Sequence, residues 1–242
     1  LAFQNNVIIK LKLMKSASEA YYDASYFAWQ CAGGEFSALL DQWKFAPYLK
    51  EEDSVLDFGC GGGFMLSALR CQSRYGIEVN PSARATAARL LQVYAHLQDL
   101  PDGLFFDAII SHHALEHVGN PLDILEKLFA RLKPGGKIIF VVPSEDWRRQ
   151  RRYDAGDVNH HLYTWTPLSL GNLFAQAGYV VERVELLCHS WVPVSQRVYR
   201  LVSPSVRHLS CQIWAFLSGI RQVRIVASRP KEQITNGGRG TY

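Results

Sequence analysis

Apolar residues run through this chain in two alternating rhythms: short unbroken runs, then runs spaced at helical intervals. The unbroken runs predict strands at residues 54–57, 74–78, 93–97, 105–111 and 137–142, the fourth apolar except for Asp107. Between them, residues 62–71, the alanine-rich 83–91 and 121–132 carry helical spacing. In the last, Leu122, Ile124, Leu125, Leu128, Phe129 and Leu132 share one broad face. Pro81 is well placed near a helix start, and Lys133-Pro134-Gly135-Gly136 reads as a turn. Thr166 followed by Pro167 predicts a capped helix running to Gln176 and stopped by Gly178. Residues 179–187 alternate as a sixth strand, and residues 221–228 form a seventh, antiparallel to the rest.

Ahead of this series, residues 18–30 form an aromatic helix with Tyr21, Tyr22, Tyr26, Phe27 and Trp29. Gly33-Gly34 is read as a break, and residues 35–49 as an amphipathic helix with Phe36, Leu39, Leu40, Trp43 and Tyr48. Residues 191–220 mix Trp191, Tyr199, Leu201, Trp214 and Phe216 with Arg197, Arg200 and Arg207, and Pro204 splits them. They read as a helical lid over a substrate or as an interfacial amphipathic surface. The division that follows is an N-terminal extension and helical cap at 1–50, a main domain at 51–230 with a lid at 191–220, and a disordered tail at 231–242.

Composition narrows the class. The 242 residues are 48% apolar, enough for one domain with a real core. No run of about 18 apolar residues exists, so no membrane span is expected. Cys31, Cys60, Cys71, Cys188 and Cys211 are odd in number and include no C-x-x-C pair. They predict free thiols in a reducing, cytoplasmic setting and no zinc site. A net charge of +4 does not argue for nucleic acid. Met14 is a candidate start, with the preceding residues upstream of it, and no signal-peptide cleavage site follows residues 7–13.

The chemistry concentrates in Val55-Leu56-Asp57-Phe58-Gly59-Cys60-Gly61-Gly62-Gly63. Four glycines in five positions let the chain turn sharply and let a ligand rest on bare backbone. The following helix points unpaired N–H groups at that ligand. A dinucleotide site shares such a loop. Asp57, directly before the glycines, would repel a pyrophosphate and suits a cationic ligand instead. About twenty residues on, Arg74-Tyr75-Gly76-Ile77-Glu78-Val79-Asn80-Pro81 ends a strand on Glu78, placed to accept from two ribose hydroxyls. There is no G-K-[ST], so a P-loop is excluded.

These pieces resemble the class I S-adenosylmethionine (SAM)-dependent methyltransferases. So do Phe106-Asp107-Ala108-Ile109-Ile110-Ser111-His112-His113-Ala114-Leu115-Glu116-His117-Val118 and Leu132-Lys133-Pro134-Gly135-Gly136-Lys137, in that family's order and spacing. The likeness is strong over residues 53–142. It implies a Rossmann-like α/β fold, a seven-stranded mostly parallel sheet in the order 3-2-1-4-5-7-6 with helices on both faces and an N-terminal helical cap. It implies SAM as cofactor, held by Asp57, Gly59, Cys60, Gly61, Glu78, Val79, His96, Leu97, Ser111 and His112. Where similar proteins carry an Asp-Ala pair toward the adenine, this chain has His96-Leu97, which leaves that contact to the Leu97 backbone and the imidazole, unless His96 is a surface residue with no role.

Because SAM is already activated, the protein mainly has to align the acceptor. A hydroxyl acceptor would also want a base near neutrality, and His113, His160 and His161 are the candidates. The last two precede the capped helix, in a segment that lines the acceptor pocket in similar methyltransferases. His113 and His117 stand at i, i+4, but Glu116 breaks the H-E-x-x-H pattern, so no metal is expected. Arg148, Arg149, Arg151 and Arg152 read as a solvated face or as a contact for an anionic substrate or headgroup. The expected partner is a small-molecule acceptor, from a hydroxylated metabolite to a glycan precursor or a quinone-like amphipathic lipid, with peripheral membrane contact compatible and no nucleic acid. Two competing classes remain: a nicotinamide-dependent oxidoreductase, and a SAM-binding domain without turnover.

Overall fold

The computed structural model describes residues 24–146, 150–154, 157, 159–193, 199 and 201–231, with side chains from residue 33 onward. Its strands are β1 (Ser54–Phe58), β2 (Ser73–Ile77), β3 (Gln92–Tyr94), β4 (Phe106–His112), β5 (Leu132–Pro143), β6 (Val180–Leu187) and β7 (Gln222–Ser228). They form one sheet in the order β3-β2-β1-β4-β5-β7-β6. Strands β1 to β5 are parallel, and β7 runs antiparallel to both β5 and β6. The helices are α1 (Ala24–Asp41), α2 (Phe64–Ala68), α3 (Pro81–Ala87), α4 (Pro121–Arg131), α5 (Pro167–Gln176) and α6 (Pro204–Ser218).

Successive residues of a strand point to opposite faces of the sheet. Leu56, Ile109, Ile138, Phe140 and Ile225 therefore enter one buried layer with Leu125, Leu128, Leu170 and Phe174 of α4 and α5. Their neighbours Val55, Ala108, Ile110, Ile139, Val141 and Val226 enter the other, against Phe45, Met65, Leu66 and Ala87. A sheet covered on both faces is what the unbroken apolar runs require. The cap expected at Thr166 is present: its side chain accepts from Ser169 N, and the Ser169 hydroxyl accepts from Thr166 N at 3.0 Å.

Three local expectations change. Gly33-Gly34 does not break the chain, because α1 runs straight through it. A Cβ on Gly34 or on Gly62 would enter the Phe64 ring, so both glycines make room for packing rather than for a turn. Lys133-Pro134-Gly135-Gly136 lies inside β5 as a bulge, between the pairs Phe106↔Leu132 and Ala108↔Lys137. Gly135 has φ +78 there, and Gly135 N donates to the Arg229 carbonyl. The helix after the glycine loop is only five residues long. Tyr21, Tyr22, Arg148, Arg149, Arg197, Arg200 and the tail beyond residue 231 lie outside the described residues.

Candidate active site

The glycine loop crosses from the end of β1 toward α2. Gly59, Gly61 and Gly63 hold φ values of +74, +53 and +80, where a Cβ would strain the chain. Gly59 N and Cys60 N both donate to the Ile77 carbonyl, at 2.9 and 3.0 Å, which hangs the loop on β2. A Cβ built on Gly61 meets nothing within 4 Å, so the backbone there opens outward. Gly63 N donates to the Cys60 carbonyl at 2.9 Å, so with α2 so short the loop offers a ligand bare, closely approachable backbone more than a row of free donors or a helix field. Cys60 is buried, and burial pushes its thiol far above the ordinary range. It serves as a small packed residue.

Glu78 closes the loop from the other side. Its two carboxylate oxygens accept from Gly61 N at 2.9 Å and from Asn80 N at 2.7 Å. A carboxylate offers about four lone-pair sites, so each oxygen keeps room for a further donor. Burial raises the Glu78 pKa. Asp57 is 2% exposed. Burial and the neighbouring Glu78 push its pKa up to about 8. The repulsive carboxylate expected from the sequence is therefore mostly a neutral acid near neutrality, until a cation arrives beside it. Val79 is exposed just beyond the strand end.

Several expected ligand contacts have other partners. Ser111 is buried and its hydroxyl donates to the Phe58 carbonyl at 2.8 Å, tying β4 to β1 instead of facing outward. His96 is exposed and caps the short 3₁₀ turn Leu97–Asp99, with its own N donating to Asp99 Oδ2 at 2.9 Å. Leu97 is partly buried against the core.

His112 belongs to a buried polar network that the sequence did not signal. Lys44, 0% exposed, donates to Asp41 Oδ1 and to Gln222 Oε1, both at 2.7 Å, and lies 3.3 Å from His112 Nε2. An ammonium has three donors and no acceptor, so a charged Lys44 makes His112 Nε2 an acceptor and puts the proton on Nδ1. Burial and Lys44 hold His112 well below its ordinary pKa. Burial alone would raise Asp41, but Lys44, His189 and His112 hold it far below the carboxylate range. Against a fully buried Lys44, an ionised Asp41 is the state that leaves no charge uncompensated.

The second cluster sits where β4 ends. His113 has φ +56, uncommon for a side chain of its size. Its Nδ1 lies 3.2 Å from Glu116 Oε1. Glu116 is fully buried. Burial opposes its charge, yet the hydrogen bond with His113 keeps its pKa lowered. Its Oε2 is buried without a hydrogen-bond partner among the described residues. The Glu116 carbonyl accepts from Leu162 N and Tyr163 N at 2.9 and 3.3 Å, and this backbone pairing brings the distant segment to the site. His161 arrives with it. Its Nδ1 is 2.9 Å from Glu145 Oε1, and its Nε2 is 3.9 Å from Glu116 Oε1. Burial works against charge on His161, but Glu145 outweighs it and raises the pKa.

His160 touches this group through its backbone, which hydrogen-bonds His117. It is exposed at φ +47, and its N donates to Asp157 Oδ2 at 3.2 Å. One ligand atom each from Glu116, His117 and His161 lies within 4.8 Å of the others, a set that could hold a metal ion. Reading only the His113/His117 spacing missed this trio, because His161 is brought in by the fold.

A family profile described as a methyltransferase domain matches residues 34–184. The ubiquinone biosynthesis O-methyltransferase of Pseudomonas putida (strain W619) is 28% identical over an alignment of length 144 that covers 51% of this chain. The chain spans 61% of that relative's length. Among solved structures, a SAM-dependent methyltransferase of Thermotoga maritima, described as a possible histamine N-methyltransferase, aligns with TM-score 0.61 at 17% identity. That alignment covers 88% of this chain and 99% of the other. Phosphoethanolamine N-methyltransferase 2 of Haemonchus contortus, solved with S-adenosyl-L-methionine, aligns with TM-score 0.52 at 12% identity, covering 81% of this chain and 57% of that one.

Proposed function

We propose, from the premise that this chain belongs to the methyltransferase-domain family, that it is a SAM-dependent O-methyltransferase acting on a hydroxylated small molecule, with His113 as its base. The outward-opening backbone at Gly61, the spare lone pairs of Glu78 and the buried acid at Asp57 fit SAM, which supplies an activated methyl group on a sulfonium. In this reading Glu78 takes the ribose hydroxyls, and Asp57 ionises to answer the positive charge. Gly59 and Cys60 shape the loop. Val79, His96 and Leu97 border the adenine end, while Ser111 and His112 hold the edge of the sheet beneath the methionine end.

The observation that carries the choice of base is the His113–Glu116 pair. A buried ionised Glu116 accepts the Nδ1 proton, so Nε2 is left as the nitrogen that takes a proton from the acceptor hydroxyl. His161 is already engaged with Glu145, whose charge favours protonated imidazole, and His160 points to solvent, so both rank behind His113. The relative named for ubiquinone biosynthesis supports a hydroxyl acceptor, and an amphipathic one. A nicotinamide oxidoreductase no longer competes, given the family. A domain that binds SAM without turnover does.

The test is methyl-labelled SAM with a panel of phenolic, sugar-nucleotide and isoprenoid-hydroxyl acceptors. His113→Gln is expected to lower kcat by about 10²- to 10⁴-fold, with SAM affinity kept. His160→Gln is expected to change little. Product formation undiminished in His113→Gln would refute the assignment. SAM binding with no labelled product across the panel would favour the non-catalytic reading.

A further inference from the structure

Helix α6 lies on the surface with an apolar face turned outward. Phe216 and Leu217 are 70% and 72% exposed, and Val206, Leu209, Ile213 and Ile220 join them at helical spacing. Leu201, 88% exposed, stands just ahead of the helix. The opposite face is satisfied: Cys211 is fully buried with Phe36 and Tyr199, Ala215 is buried as well, and Trp43 meets His208 edge-on at 4.9 Å. The outward face is therefore not a misplaced core face. Monomeric proteins rarely leave so continuous an apolar strip in water.

The charge around it is one-sided. From Leu186 to Lys231 the sequence has Arg197, Arg200, Arg207, Arg221, Arg224, Arg229 and Lys231, and not one Asp or Glu. Arg224 is spent internally on Glu185, and Arg229 on the Phe129 and Leu132 carbonyls. Arg207 follows Val206 directly on α6. Arg221 stands at the helix end, where its Nη1 donates to the Ala215 and Ile220 carbonyls at 2.7 and 2.9 Å; these bonds hold its positive charge beside the apolar strip, 5.8 Å from the centre of the Phe216 ring. Arg197 and Arg200 precede the helix in sequence and lie outside the described residues.

We infer that the outer face of α6 is a docking surface for an anionic lipid bilayer. An apolar helical strip edged by arginine is the pattern of a helix lying in a membrane interface. The charge selects between a bilayer and a second copy of the chain. A two-fold contact would set the same patch against itself, bringing Arg207 and Arg221 toward their own counterparts with no acid to meet them. An anionic headgroup layer neutralises them, each cation near such a surface strengthening binding by about fivefold. No helix among the described residues is long and apolar enough to cross a membrane, so the contact is peripheral. The inference does not depend on the acceptor or on the choice of base.

The experiment is flotation of the full chain with vesicles of phosphatidylglycerol and phosphatidylcholine in equal parts, against vesicles of phosphatidylcholine alone. Binding is expected to the anionic vesicles, weakened by salt. It is expected to fall by about tenfold or more in the double variant Phe216→Glu/Leu217→Glu, which puts two charges where the apolar strip would insert. Both positions are exposed, so the variant should keep its thermal midpoint and its affinity for S-adenosylhomocysteine, which separates loss of docking from loss of fold. Equal binding to both vesicle types would overturn the charge argument. No vesicle binding would overturn the inference altogether, whether light scattering then shows a monomer or a dimer that the double variant dissociates.

Discussion

Asp57 titrates near 8 in the ligand-free protein, and this makes SAM binding a proton-releasing event. If the sulfonium keeps the bound carboxyl ionised, the apparent affinity follows the ionised fraction of the free protein. That fraction is about one part in a hundred near pH 6, one in eleven near pH 7 and one half near pH 8. SAM affinity should therefore rise about fiftyfold between roughly pH 6 and pH 8, and binding near pH 7 should release about 0.9 proton. The assay is calorimetric titration in buffers of different ionisation enthalpy, with Asp57→Asn in parallel. The ligand's own titration is common to both proteins and cancels in their ratio.

The same shift carries a stability consequence of fixed sign. The folded carboxyl binds a proton up to about pH 8, whereas an ordinary one releases it near 3.8. Stability contributed by Asp57 is thus largest at acid pH and is lost as pH rises through that window. Near pH 7 the loss has a ceiling of about 4 kcal/mol. Asp57→Asn should raise the thermal midpoint of the ligand-free protein at neutral pH and still weaken SAM more than it weakens adenosine, which carries no cation. Binding that releases no proton, or a wild-type to variant ratio that stays flat with pH, would refute the reasoning.

Glu78→Ala should weaken SAM by about 10- to 100-fold, the worth of its charged hydrogen bonds. Because Glu78 also holds Gly61 N and Asn80 N, the variant should show faster amide exchange in the loop, and unchanged affinity for SAM would sink the ribose assignment. Dialysis against a chelator should leave turnover within about twofold, since His113 and Glu116 need no ion in their proposed roles. Activity lost on chelation and restored by a divalent cation would reassign Glu116, His117 and His161 as ligands.

The sheet was legible because both its faces are covered: unbroken apolar runs have few other uses, and the glycine loop with Glu78 marked which strands came first. The order with β7 between β5 and β6 came from the family resemblance, and the pairing agrees with it. What periodicity could not give were contacts made across distance. Lys44 lies within the amphipathic run 35–49, where spacing gives it no mark, and only the fold brings Asp41, Gln222 and His112 around it. His161 reaches Glu116 through backbone bonds of the 162–163 segment, which leave no side-chain signature. Gly33-Gly34 misled for a related reason. A glycine that ends a helix and one that admits a neighbour's ring are spelled alike, and Phe64 lies thirty residues further on.

That ring has a bearing on where the chain can be cut. Phe64 opens α2 directly after the glycine loop and sits between Gly62 of that loop and Gly34 of α1. A dissection before β1, at the boundary the pattern of strands suggests, would strip one wall from this ring and would also take away Asp41 and Lys44 together, leaving His112 and Gln222 without the polar partners they have in the intact fold. The smallest piece that melts as a unit should then begin inside or before α1, not at residue 51, and the glycine loop should lose its order together with that helix rather than after it.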